Sequence, residues 1–121
     1  MNRIAGEMMA AKRLYREKRF LIKYPISLFS SESEETFEGE ELLVQGVIDC
    51  AYFNQADELI LVDYKTDSFS SSASRTYVKN VLKERHTRQL GYYRMACEKL
   101  FGILPSHTYL YAFALNDVIE I

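Results

Sequence analysis

Between Val44 and Asp67 the chain reads VQGVIDCAYFNQADELILVDYKTD, two apolar runs separated by only Asn-Gln-Ala-Asp. A spacer that short, built of turn residues, predicts that residues 42–53 and 58–65 lie side by side as antiparallel strands. Val47, Ile48, Leu59, Ile60, Leu61 and Val62 mark both strands as buried. Yet each carries an acid, Asp49 and Asp63, and the second adds Lys65. Charges of this kind are costly to desolvate unless they are paired or hold a cation.

Around this hairpin the pattern predicts an α/β domain. Residues 2–17 repeat Ile4, Met8, Ala11 and Tyr15 near helical period, and residues 19–29 alternate as a strand with Pro25 at an edge or bend. Residues 30–41, SSESEETFEGEE, read as a solvated hairpin loop, and residues 68–75, SFSSSASR, as a flexible one. A long helix is expected over residues 77–101, with Leu82, Gln89, Tyr93, Ala96 and Leu100 on one side and Gly102 and Pro105 as stop signals. Residues 107–115, HTYLYAFAL, form an apolar and therefore internal strand, which assigns Tyr109 and Tyr111 to the core. The expected order is helix, three strands, helix, strand, a mixed sheet of about four strands flanked by two helices.

At 121 residues the chain suits one domain. A formal charge of −2 and a pI near 5.7 give no global positive field for nucleic acid or acidic membranes, which leaves a local basic strip open. Lys79, Lys83, Arg85 and Arg88 on the long helix could track a DNA backbone, or simply form a solvated face. Cys50 and Cys97 are far apart and cannot alone hold a four-cysteine zinc or iron–sulfur site. The charged start and the lack of a membrane-length apolar run predict a soluble intracellular protein.

Asp49 and Asp63 stand fourteen positions apart, a span over which a hairpin brings two carboxylates together near one end of a sheet. At about 4 Å two such charges repel by about 4 kcal/mol at an effective dielectric near 20. A divalent cation removes that cost, and oxygen ligands suit Mg²⁺ or Mn²⁺. Lys65, two residues after Asp63, shares its face of the strand and can offset charge growing on a phosphate. Asp-x-Lys on its own also fits a surface ion pair. The set of three fits phosphodiester hydrolysis.

GVID, then LVDYKTD, then RQLGYYRMA resemble the RecB-family nuclease domain of the PD-(D/E)XK superfamily. The likeness extends to YREKRFLIKYPISL and TYLYAFAL and is nearest to the C-terminal nuclease domain of AddA-type helicase–nuclease subunits. It implies a restriction-endonuclease-like core and a Mg²⁺- or Mn²⁺-dependent DNA nuclease acting in double-strand-break repair. It further implies metal ligation by Asp49, Asp63 and the backbone carbonyl of Tyr64, support from Glu17, and Lys65 as the catalytic lysine. Gln89 and Tyr93 match the family's helical Gln and Tyr, which order the site and the DNA strand. The implied partners are DNA, helicase domains of the same parent polypeptide and a second nuclease subunit, in the cytoplasm.

The sequence also departs from the family. His86 stands where a tyrosine is common and reads as a helix-surface residue. The family's upstream metal-supporting histidine has no match, and the chain starts inside an expected helix, so a C-terminal piece of a larger helicase–nuclease is expected. The clustered cysteines of iron–sulfur relatives are absent. A module that keeps the fold but only docks or binds DNA is the alternative.

Overall fold

Residues 59–65, the most apolar run beside the acids, become the middle strand of one five-stranded mixed sheet. The computed structural model describes residues 3–25 and 41–121. In chain order the elements are α1 (Arg3–Met9), β1 (Arg13–Pro25), β2 (Glu41–Phe53), β3 (Leu59–Lys65), α2 (Arg75–Phe101), β4 (His107–Ala112) and β5 (Asp117–Glu120). The sheet order is β1-β2-β3-β4-β5. β1, β2 and β3 pair antiparallel, β3 and β4 pair parallel, and β5 returns antiparallel to β4. A parallel pair needs a crossover, which α2 supplies.

The expected helix over residues 2–17 ends at Met9, and residues 13–17 belong to β1. Ile4 and Met8 are buried as their spacing predicts. From Lys12, however, whose N–H donates to the Phe53 carbonyl at 2.9 Å, the chain joins the ladder of β2. Pairing along a partner strand outweighs a local helical period. The expected loop over residues 30–41 lies outside the described residues apart from Glu41, which opens β2, and residues 26–29 lie outside them too.

The last expected strand stops at Ala112, and the turn through Asn116, at φ 50°, sends the chain back as β5. The sheet therefore has five strands rather than about four. β5 covers what would be an exposed apolar edge, and β4 is internal, with Tyr109 and Tyr111 buried.

α1 packs on one face with Cys50, Tyr52, Ile60 and Val62, and α2 on the other with Ile48, Ala51, Leu59 and Leu61. The buried stripe of α2 includes Val78, Leu82, Leu90 and Cys97. Phe101, not the exposed Leu100, closes it against Tyr15 and Phe53 at ring distances of 4.9 and 6.0 Å. Among the described residues no helix is long and apolar enough to cross a membrane.

Ser74 caps α2, its side chain accepting the Tyr77 N–H at 3.1 Å, and Gly102, at φ 83°, closes the other end. Ser74→Ala is expected to lower stability by about 1 kcal/mol with the urea m-value unchanged. Chemical denaturation checks this, and an unchanged midpoint would show that the cap is dispensable.

Candidate active site

Side-chain alternation resets in two strands at one level. Tyr15 and Ala51 pack on the α2 face, and so do Phe20 and Ile48 further along. The steps from 15 to 20 and from 51 to 48 are odd, whereas a regular strand keeps to even steps. Between them β1 and β2 pair at Arg16↔Cys50 and Lys18↔Ile48, skipping Glu17 and Asp49, and Glu17 holds a φ of 50°. β2 and β3 stop pairing at the same level, at Cys50↔Val62. Asp49 and Asp63, the next residues on each strand, therefore stand where the sheet opens.

Asp49 Oδ2 fills part of the gap by accepting the Tyr64 N–H at 2.9 Å. In an extended strand a residue's N–H and C=O point to the same neighbour, so the Tyr64 carbonyl also faces the gap. The next carbonyl, that of Lys65, points the other way and accepts the Phe113 N–H at 3.1 Å.

Asp63 and Lys65 continue the α2-facing series of Leu59 and Leu61. Asp63 is only 2% exposed, and Lys65 Nζ lies 2.9 Å from its Oδ2. That contact is a close ion pair, and no donor other than Lys65 reaches the buried Oδ2 among the described residues. Burial pushes the Asp63 carboxyl up to about 6, Lys65 pulls it back, and the neighbouring Asp49 adds to the rise. Lys65 Nζ also donates to Gln89 Oε1 at 2.7 Å, tying the site to α2.

One turn beyond Gln89, Tyr93 sets its ring edge-on to Phe20 at 5.7 Å. Burial first, and then the charge on Asp63, raise its phenol, which stays neutral at physiological pH. The glycine of the Gly-x-x-Asp pattern has a steric reason here. A Cβ on Gly46 would come within 3.1 Å of the Phe20 ring and 3.3 Å of the Tyr93 ring. Gly46→Ala is expected to cost about 1 kcal/mol by overpacking and to displace Tyr93. Thermal melts together with the Tyr93 ring resonances check it, and an unmoved ring would refute the crowding.

The structure thus brings together Asp49, Asp63, Lys65, Gln89 and Tyr93. Glu17 is not on the expected helix. It is exposed on β1, lining a cavity of about 350 Å³ with Arg16, Asp49 and Tyr64. Lys83, Arg85 and Arg88 are exposed on α2 and Lys79 is half-buried, while Arg85 Nη1 donates to Asp67 Oδ2 at 3.1 Å. His86 is not a free surface residue but a half-buried one, with Nε2 3.0 Å from that same oxygen. Sequence reading missed Asp67 altogether. Its signal was the acid in DYKTD that prolongs the spacing of Asp63 and Lys65.

Among the described residues no three His, Cys, Asp or Glu side chains converge as a ready metal cluster. What the gap offers is two carboxylates and a backbone carbonyl. The buried Oδ2 of Asp63, which only the Lys65 ammonium meets among the described residues, and the mutual repulsion of the two acids both fit a hard divalent cation. Burial pushes Cys50 up to about 11 and Cys97 up to about 12, and the two thiols belong to opposite faces of the sheet, so neither is suited to ligation.

A five-stranded mixed α/β sheet of this order is compatible with the restriction-endonuclease-like fold. The chain's similar proteins carry a consistent name, that of AddA, an ATP-dependent helicase/nuclease component. The AddA protein of Acetivibrio thermocellus is 39% identical over 111 residues, 91% of this chain and 8% of that protein. Those of Clostridium acetobutylicum and Clostridium kluyveri are 30% and 34% identical over 98% of this chain and 9% of their own lengths. The chain therefore spans less than a tenth of the length of these relatives. No family model matches it.

Proposed function

We propose that this chain is a Mg²⁺- or Mn²⁺-dependent DNA nuclease module that hydrolyses phosphodiester bonds within a helicase–nuclease acting in double-strand-break repair. The observation that carries this reading is Lys65 Nζ, 2.9 Å from the buried Asp63 Oδ2 at the place where β2 and β3 part beside Asp49. The helicase/nuclease name of the relatives supports the same activity. Asp49, Asp63 and the Tyr64 carbonyl would hold the cation, with Glu17 reaching from the cavity it shares with Asp49. A bound divalent ion supplies Lewis acidity toward the scissile phosphate and a more acidic water.

The chain's own residues do the rest. Lys65 places a positive charge where negative charge develops on the phosphate, in a partly dry site that strengthens the effect. Gln89 fixes the direction of the Lys65 ammonium, and the neutral Tyr93 walls the site beneath the DNA strand. Lys83, Arg85 and Arg88 on the outer surface of α2, with Lys79 beside them, contact backbone phosphates. The partners of this reading are DNA, a second nuclease subunit, and helicase domains of a longer parent chain, and its setting is cytoplasmic.

The test is incubation of the chain with linear single- and double-stranded DNA and Mg²⁺ or Mn²⁺. Cleavage that EDTA abolishes supports the nuclease. DNA that is bound but left intact at every metal concentration would show a docking module instead.

A further inference from the structure

The spacing of the α2-facing residues of β3 carries on past the strand's last residue, Lys65. Asp63, Lys65 and Asp67 follow one another at a spacing of two, while Tyr93, Gln89 and His86 follow at the four- and three-residue spacings that share a helix face. Two of the three pairs are in direct contact. The charge of Asp63 acts on Tyr93, Lys65 Nζ donates to Gln89 Oε1 at 2.7 Å, and His86 Nε2 lies 3.0 Å from Asp67 Oδ2.

The pairs are unequal. Gln89 is exposed, so where its Oε1 meets the Lys65 ammonium depends on how α2 is held against the segment after β3. The last pair is better enclosed, with the His86 and Asp67 side chains 18% and 17% exposed. Arg85 Nη1 reaches the same Asp67 oxygen at 3.1 Å, so one carboxylate gathers two neighbouring residues of α2. Burial pushes the Asp67 carboxyl up, but the hydrogen bonds from His86 and Arg85 outweigh it and hold the group below its ordinary value. Asp67 is thus an anion at neutral pH, ready to accept.

We infer that Asp67 and His86 form a positioning pair, clamping the segment after β3 to α2 one turn before Gln89 and so fixing where Gln89 Oε1 meets the Lys65 ammonium. The inference rests on the nuclease reading for its kinetic consequence, though not for its structural one. His86 touches neither acid of the gap in this arrangement. Its Nε2 is committed to Asp67, and it acts through Gln89 and Lys65.

The experiment uses the whole chain with end-labelled linear DNA and Mn²⁺, alongside NMR of the ¹⁵N-labelled Gln89 side-chain amide. His86→Ala is expected to lower kcat about tenfold to a hundredfold with KM within twofold. His86→Gln, which still offers Asp67 an N–H, should recover most of that loss. Asp67→Asn, close to isosteric, should lose kcat in the same direction, which covers the case in which the alanine variant folds poorly. His107→Ala, at an exposed pair with Glu120 near the start of β4, serves as the control expected to leave both constants unchanged.

In His86→Ala the Gln89 amide signal should move toward its position in Lys65→Ala. An unmoved amide in His86→Ala and Asp67→Asn overturns the pair, and so does a rise in KM alone, which would make His86 a DNA contact. If the unmodified chain does not cut but the amide moves as stated, the nuclease reading falls while the positioning pair stands.

Discussion

Lys65→Ala is expected to reduce metal-dependent DNA cleavage by about 10²–10³-fold, the usual effect of removing one preorganised charge at a developing anion. Lys65 is the only cation the structure places on the buried Asp63 among the described residues, and its second contact, to Gln89, directs it without neutralising it. Deleting it also takes away the group that pulls the Asp63 carboxyl down, so Asp63 holds its proton to higher pH. Lys65→Arg should not restore the rate, because a planar fork cannot reproduce a compact ammonium 2.9 Å from one oxygen and 2.7 Å from another. Initial rates on linear double-stranded DNA at saturating Mg²⁺ decide the matter. A rate within threefold of the unmodified chain would remove Lys65 from the chemistry.

How much of this could be read from the residues follows a physical rule, that local patterns survive and long-range pairing does not. Period-two spacing gave Asp63 and Lys65 one face, and the Asn-Gln-Ala-Asp turn joined their strand to that of Asp49. Both were legible because a strand fixes side-chain direction within a few residues. The apolar strand of Tyr109 and Tyr111 was recognisable for the same reason. Arg13 to Glu17 was misread as helix because its period fits both states, and only the ladder with β2 decides. The odd step at Glu17 and Asp49 is set by strands opening together and leaves no mark in either segment alone. β5, four residues long, is below the length at which alternation can be told from chance, and its role is visible only once β4 needs an edge partner. His86 looked like a surface residue because its partner, Asp67, lies nineteen positions away on another element.

Asp63→Asn is expected to make the metal-free chain more stable at pH 8 while abolishing its response to Mn²⁺. In the fold the Asp63 carboxyl titrates at about 6 instead of its ordinary 3.8, with burial as the main cause. A carboxyl raised in this way favours the fold while it is protonated. That advantage is complete below 3.8 and is lost as pH rises through about 6, above which the ionised group opposes folding. A rise from 3.8 to about 6 corresponds to on the order of 2–3 kcal/mol, a figure that already contains the pull of the Lys65 ammonium. Thermal melts in EDTA should thus coincide for the two proteins at pH 4 and separate by roughly 10 °C in favour of the variant at pH 8. Added Mn²⁺ should then raise the midpoint of the unmodified chain and leave that of Asp63→Asn in place, since a neutral amide is a poor substitute for a carboxylate beside Asp49. Should the variant melt lower than the unmodified chain in EDTA at pH 8, the Asp63–Lys65 pair would be holding the fold together, and the acid would not be the strained, cation-seeking group that its burial describes.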